Sequence, residues 1–144
     1  MRLYAESSAV LTWLLGEVDA ESVRRLLAGA EAVFTSVLTL VETDRVLIRA
    51  QVMGELREGD VAERRRILMR ASRRWQLLQL HEEILDRARR PFPGEPIRTL
   101  DALHLASAII ARAAVPELSV LSVDSRIRRA STALDFEVFP SGPR

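Results

Sequence analysis

Four carboxylates in this 144-residue chain stand where a catalytic site would need them: Glu6, Glu42, Asp101 and Asp124. Glu6 directly follows a short strand-like segment, and Asp124 directly follows another, SVLSV. Glu42 falls in the first turns of a helical segment behind a third strand-like run, AVFTS, and Asp101 in the first turn of the helical segment that precedes SVLSV. A cluster of acids repels itself unless a cation neutralises it. Oxygen-only donors suit a hard cation, Mg²⁺ or Mn²⁺. Such an ion, held by carboxylates and waters, can activate water and stabilise charge on a phosphoryl group. That chemistry is phosphodiester hydrolysis.

Each acid also has a plainer reading. Glu6 could sit at a helix N-terminus, where the dipole favours acids. Asp124 could cap the helix that follows it. Glu42 could pair with Arg45 three residues on. Asp101 could be a first-turn acid behind a Thr99 cap, but it resists this reading most. Its segment, TLDALHLASAIIARA, is apolar nearly all round, and such a helix is buried. An ionised carboxylate buried there needs a cation or several donors. Arg98 is one partner within reach along the sequence, and a metal is another.

The elements that must position these acids alternate from end to end. Strands are predicted over Arg2–Ala5, Ala32–Ser36, Leu77–Leu80, Ser119–Val123 and Phe136–Phe139. Helices are predicted over Ser7–Leu15, Asp19–Ala30, Leu38–Met53, Glu58–Gln76, Glu82–Arg90, Thr99–Ala113 and Ser125–Leu134. Alternation of this kind argues for an α/β fold, a mostly parallel sheet of four to five strands covered on both faces. The apolar strand runs agree, as doubly covered strands should. Open α/β sheets carry their sites at the carboxyl ends of strands, so the four acids can converge on one edge. The chain reads as one domain over residues 1–139, with a tail over residues 140–144 as the one stretch expected to lack order.

Composition narrows the function classes. Net charge is +1, so any attraction to nucleic acid must come from local clustering. All 21 basic residues are arginine. There is no cysteine, which removes disulfides and thiolate metal sites. No signal-type leader is apparent, and the apolar runs fall far short of the ~20 residues that span a bilayer. A soluble, cytoplasmic protein is expected. A phosphoaspartate receiver, the other α/β fold with acids at strand ends, normally needs a late lysine, and the chain has none. Neither GxxxxGK[ST] nor GxGxxG is present.

The segments around the acids resemble a known family. LYAESSAVLTWLLGE resembles the opening of a PIN domain, where a strand ends in an acid followed by Ser/Thr-Ser-Ala and an apolar helix. SVLTLVETDRVLIRA resembles the second PIN motif, RTLDALHLASAI the third and most specific, and VLSVDSRIRRA the fourth. The four occur in the family's order across residues 2–139. The resemblance implies a three-layer α/β/α sandwich and a Mg²⁺- or Mn²⁺-dependent endoribonuclease whose acidic quartet is Glu6, Glu42, Asp101 and Asp124. It implies that Ser8 and Ser122 support the site. Members of this length are mostly VapC-like toxins, which implies an RNA substrate, a VapB-like antitoxin and a homodimer. One position departs: the family's first acid is usually Asp, and here it is Glu6. A second reading therefore keeps the fold without the chemistry, as an impaired module that binds antitoxin or RNA.

His104 lies one helical turn from Asp101 and reads as a residue that orients a neighbour or fills an interface, since the family usually has His there without using it as a ligand. No role is assigned to His81. Arg66, Arg70, Arg73 and Arg74 form a helical stripe opposite Leu68, Ala71 and Trp75. That stripe could contact RNA phosphates, or could be a solvated basic face or an antitoxin surface. Trp13 and Trp75 read as core or interface residues.

Overall fold

The computed structural model describes residues 1–142. The order is β1 (Arg2–Ala5), α1 (Ser7–Leu15), α2 (Ala20–Gly29), β2 (Ala32–Ser36), α3 (Val37–Val52), α4 (Glu58–Ser72), β3 (Gln76–Leu78), α5 (Glu82–Ala88), α6 (Thr99–Ala114), β4 (Leu118–Leu121), α7 (Ser125–Ala133) and β5 (Val138–Phe139). The five strands pair in the order β3-β2-β1-β4-β5, all in parallel.

Side chains alternate along β1 and so divide the core in two. Tyr4 joins α6, Val120, Ile127 and Phe136 on one face, while Leu3 and Ala5 join α1, Val23 and Leu68 on the other. Two helical layers therefore enclose the sheet, which is the expected α/β/α sandwich.

The strand order has one functional consequence. The chain leaves β1 toward β2 and β3, then returns to lay β4 on β1's other side. Helices after β1 and β4 thus diverge at the carboxyl end of this pair, which makes the crevice where open α/β sheets bind ligands.

Several boundaries differ from those predicted. Helix α4 ends at Ser72 rather than Gln76: the Arg74 and Trp75 amides turn back onto Ala71 and Ser72, and Gln76 is freed to pair with Phe34. Strand β3 stops at Leu78 because its partner β2 ends at Ser36, paired with Leu78 and already the cap of α3. Past Leu121 the Ser122 amide still donates to the Phe139 carbonyl, and β4 then ends as the amides turn to side-chain acceptors: Val123 N donates to Ser8 Oγ, and Asp124 N to Ser8 and Ser122 Oγ. In the tail, Arg128 donates to the carbonyls of Pro140 and Gly142. Residues 143 and 144 lie outside the described residues. Among the described residues no helix is long and apolar enough to cross a membrane.

Candidate metal-binding acidic site

Glu6 caps helix α1. Its backbone is extended, and its Oε1 accepts from the Ser8 amide at 3.0 Å. Capping usually falls to shorter side chains, and here serines hold the longer one in place. Ser7 Oγ donates to Oε1 at 2.7 Å, Ser8 Oγ donates to Oε2, and Ser122 Oγ donates to Oε2 at 2.8 Å. Glu6 is 4% exposed, and these four donors make its buried charge tolerable. Ser8 Oγ also accepts from the Val123 and Asp124 amides at 3.1 and 3.2 Å. Ser8 and Ser122 therefore clip the start of α1 to the end of β4, and fix Asp124 relative to Glu6. These are the two supporting positions expected from the sequence. Ser7 was not among them, because an i, i+1 neighbour is easily taken for a helix start.

Glu42 lies in the second turn of α3 and does not pair with Arg45. Its Oε1 accepts from His104 Nε2 at 2.6 Å, and its Oε2 stands 3.2 Å from Ser7 Oγ, an alternative acceptor for the proton that Ser7 gives Glu6 at 2.7 Å. A carboxylate only accepts, so Nε2 carries the proton. His104 Nδ1 is 2.8 Å from the Tyr4 hydroxyl. Burial, joined by the nearby charges of Glu6 and Glu42, raises the Tyr4 pKa far above the phenol value. Tyr4 therefore keeps its proton. His104 thus orients an acid, as one of its two expected roles has it.

Asp124 caps α7, with Oδ1 accepting from the Arg126 and Ile127 amides at 2.9 and 3.1 Å. Its Oδ2 stands 3.6 Å from Arg126 Nη2. Asp101 differs from the other three acids. It is half-buried on the first turn of α6, a helix whose N-cap position falls to Arg98 rather than Thr99 and has no side-chain cap, and its carboxylate makes no hydrogen bond or ion pair among the described residues. Its pKa is raised, first by burial, then by the charges of Asp124 and Glu6, against weaker opposing effects of Arg126 and His104. The structure therefore brings Asp101, Asp124 and Glu6 into one electrostatic neighbourhood, and Ser7 links Glu6 to Glu42.

These residues fit a hard divalent cation in donor chemistry. All four supply carboxylate oxygens, and Asp101 is an orphaned anion that raises its neighbours' repulsion. The side chains do not stand as a ready cage: no three His, Asp or Glu groups among the described residues are gathered as ligands around one point. Asp101 and Asp124 Oδ2 have oxygens to offer directly. Glu6 and Glu42 would first exchange a serine or imidazole partner.

The arginine stripe divides. Arg66, Arg70 and Arg73 line one shallow groove on α4, with Arg65 beside them. Arg74 lines a separate cleft with Trp13 and Trp75. None of the four lines the cleft that holds Asp101. Trp13 and Trp75 pack on each other with ring centroids 6.2 Å apart, as helix-packing residues do.

Comparison with known proteins agrees with this fold. Residues 3–133 match the family model described as PIN domain. Ribonuclease VapC46 of Mycobacterium tuberculosis is 32% identical over 136 residues, covering 94% of this chain and 95% of that protein. Ribonuclease VapC35 of the same species is 25% identical over 142 residues, covering 97% of each. Among solved structures, VapBC2 of Rickettsia felis bound to a promoter DNA fragment superposes with a TM-score of 0.63 at 10% identity, over 96% of this chain and 97% of that one. The sarcin-ricin loop cleaving toxin VapC20 of Mycobacterium tuberculosis gives 0.61 at 16% identity, over 89% and 94%. A sheet that opens between β1 and β4, an acid at the end of each, and a match spanning nearly the whole chain all lead to one assignment: the chain belongs to the PIN-domain family, in its VapC branch.

Proposed function

We propose that the chain is a metal-dependent endoribonuclease of the VapC toxin type, with Glu6, Glu42, Asp101 and Asp124 as its acidic site. The observation that carries this reading is Asp101, a half-buried carboxylate without a partner, pressed by two further acids at the sheet's switch point. A Mg²⁺ or Mn²⁺ ion bound there would supply a polarised water and a counter-charge for the phosphoryl group. The chain's own part is positioning. Ser8 and Ser122 hold Asp124 and Glu6 across the crevice, His104 aims Glu42, and the apolar body of α6 fixes Asp101. Its relatives' names also support an RNA substrate and a VapB-like antitoxin, and the family resemblance adds a cytoplasmic setting and a homodimer. The arginines of the α4 groove would meet RNA or partner away from the acids.

The test is incubation of total bacterial RNA with purified protein in Mg²⁺, Mn²⁺ or EDTA, beside Asp101→Asn. Metal-dependent fragments that vanish in the variant support the reading, and unchanged cleavage by the variant sinks the assigned site.

A second reading has its own observation. Glu6 spends its lone pairs on four donors, which suits an impaired module that binds RNA or antitoxin without cutting. Calorimetry with Mn²⁺ separates the two, because such a module would show no binding.

A further inference from the structure

Next to Asp101 lies a cleft of about 240 Å³, with Ile97, Leu105 and Ile127 as apolar lining and Arg98, Arg126 and Asp101 as its charged residues. Leu105 and Ile127 are buried core residues that close its floor. The Arg98 guanidinium makes no hydrogen bond or ion pair among the described residues. Arg126 is half exposed and only loosely paired, at 3.6 Å from Asp124. Both guanidinium groups are exposed or half-exposed at the rim of this apolar floor and are open to an incoming anion.

We infer that this cleft takes one unpaired nucleotide of the RNA substrate, with its base on Ile97, Leu105 and Ile127 and its phosphate held by Arg98 and Arg126. The inference rests on the ribonuclease reading and adds a substrate subsite to it. Four acids at the switch point repel a polyanion, so a substrate must find cations close by. Arg98 and Arg126 are the arginines that share a cleft with Asp101. Planar guanidinium forks match phosphate oxygens. The volume lies below the roughly 300–1,000 Å³ of pockets for drug-sized ligands, which suits a single base. A base can enter only when it is unstacked, so the cleft selects single-stranded RNA.

The test uses the full chain carrying Asp101→Asn, so that natural RNA survives, and a short fluorescein-labelled oligouridine read by anisotropy across a salt series. Arg98→Ala and Arg126→Ala should each weaken binding about tenfold and make the salt slope shallower by about 0.7. Arg25→Ala, beside Met1 at the far end of β1, removes the same charge and should change neither. Abasic substitution along the probe should weaken binding about tenfold at one position, and that position effect should disappear in the Arg98→Ala/Arg126→Ala protein. A counter-ion role for the two arginines would not produce a position effect.

Binding equal to that of Arg25→Ala, a uniform abasic profile, or no binding at low salt would each overturn the subsite. The ribonuclease reading fails separately, if protein with Asp101 intact never cuts RNA in any metal. Arginine-dependent, position-specific binding without cleavage would keep the subsite and remove the enzyme.

Discussion

His104 donates its Nε2 proton to Glu42 across 2.6 Å while its other ring nitrogen meets the buried hydroxyl of Tyr4 at 2.8 Å. One imidazole thus ties a strand of the central sheet to an acid on a neighbouring helix. His104→Leu removes the imidazole partner of both Tyr4 and Glu42 and should cost about 1–3 kcal/mol in denaturant unfolding. Partners that orient metal-binding acids are worth roughly 10–100-fold in metal affinity, so Mn²⁺ binding should fall in that range. His104→Gln keeps a donor near Nε2 and should recover most of the affinity. Equal losses in both variants would mean that the ring acts only by filling space.

Asp101 gives a pH dependence with a definite sign. Its folded pKa lies above the ordinary 3.8, through burial and the charges of Asp124 and Glu6. The folded chain therefore keeps this proton to higher pH than the unfolded chain does. By linkage, the group weakens the fold as pH rises from 3.8 through the raised value, and the penalty is complete above it. Asp101→Asn should melt higher than the parent at neutral pH in EDTA, and the difference should close at pH below 3.8. Added Mn²⁺ should raise the parent's melting temperature and leave the variant's unchanged. A variant that melts lower at neutral pH would show that the carboxylate is not under repulsion.

The Ser8 hydroxyl serves three partners at once, donating to Glu6 and accepting from the Val123 and Asp124 amides. Ser8→Ala should destabilise the fold by about 1–3 kcal/mol, the cost of buried groups left unpaired. The Asp124 turn should also loosen, seen as faster amide hydrogen exchange at Val123 and Asp124. Unchanged exchange there would mean that Ser122 alone holds the turn.

Glu6→Asp restores the acid usual for the family, and the structure predicts a cost. The shorter side chain cannot keep the helix cap on the Ser8 amide and reach Ser122 on the far side of the crevice. Stability should drop by about 1.5–3 kcal/mol, the range for a hydrogen bond to a charged group. Chemical denaturation of Glu6→Asp, alone and with Ser122→Ala, checks this. The two changes should not add, because both remove one contact.

The parallel sheet covered by helices was legible in residue pattern, since strand-like and helical segments alternate along the chain; its strand order, β3-β2-β1-β4-β5, was not. The partners of the acids were not. Sequence spacing offered Arg45 to Glu42 and Arg98 to Asp101. The fold instead gives Glu42 to His104, 62 residues away, and leaves Asp101 unpaired. Long-range side-chain pairing of this kind depends on helix rotation about the sheet, which periodicity fixes only to a face. Helix α4 was read too long for a related reason: Arg73, Arg74 and Trp75 carry no breaker, and it is pairing of Gln76 with Phe34 that ends the helix.

Ser7 has a single hydroxyl proton and two anions that want it, Glu6 at 2.7 Å and Glu42 at 3.2 Å. A hydroxyl rotor can satisfy one and must turn a lone pair toward the other. The two acids are thereby placed in competition, and whichever one the rotor abandons becomes the better ligand. If both acids are metal ligands, as proposed, an ion at either would set the rotor toward its rival, and one serine would couple the two.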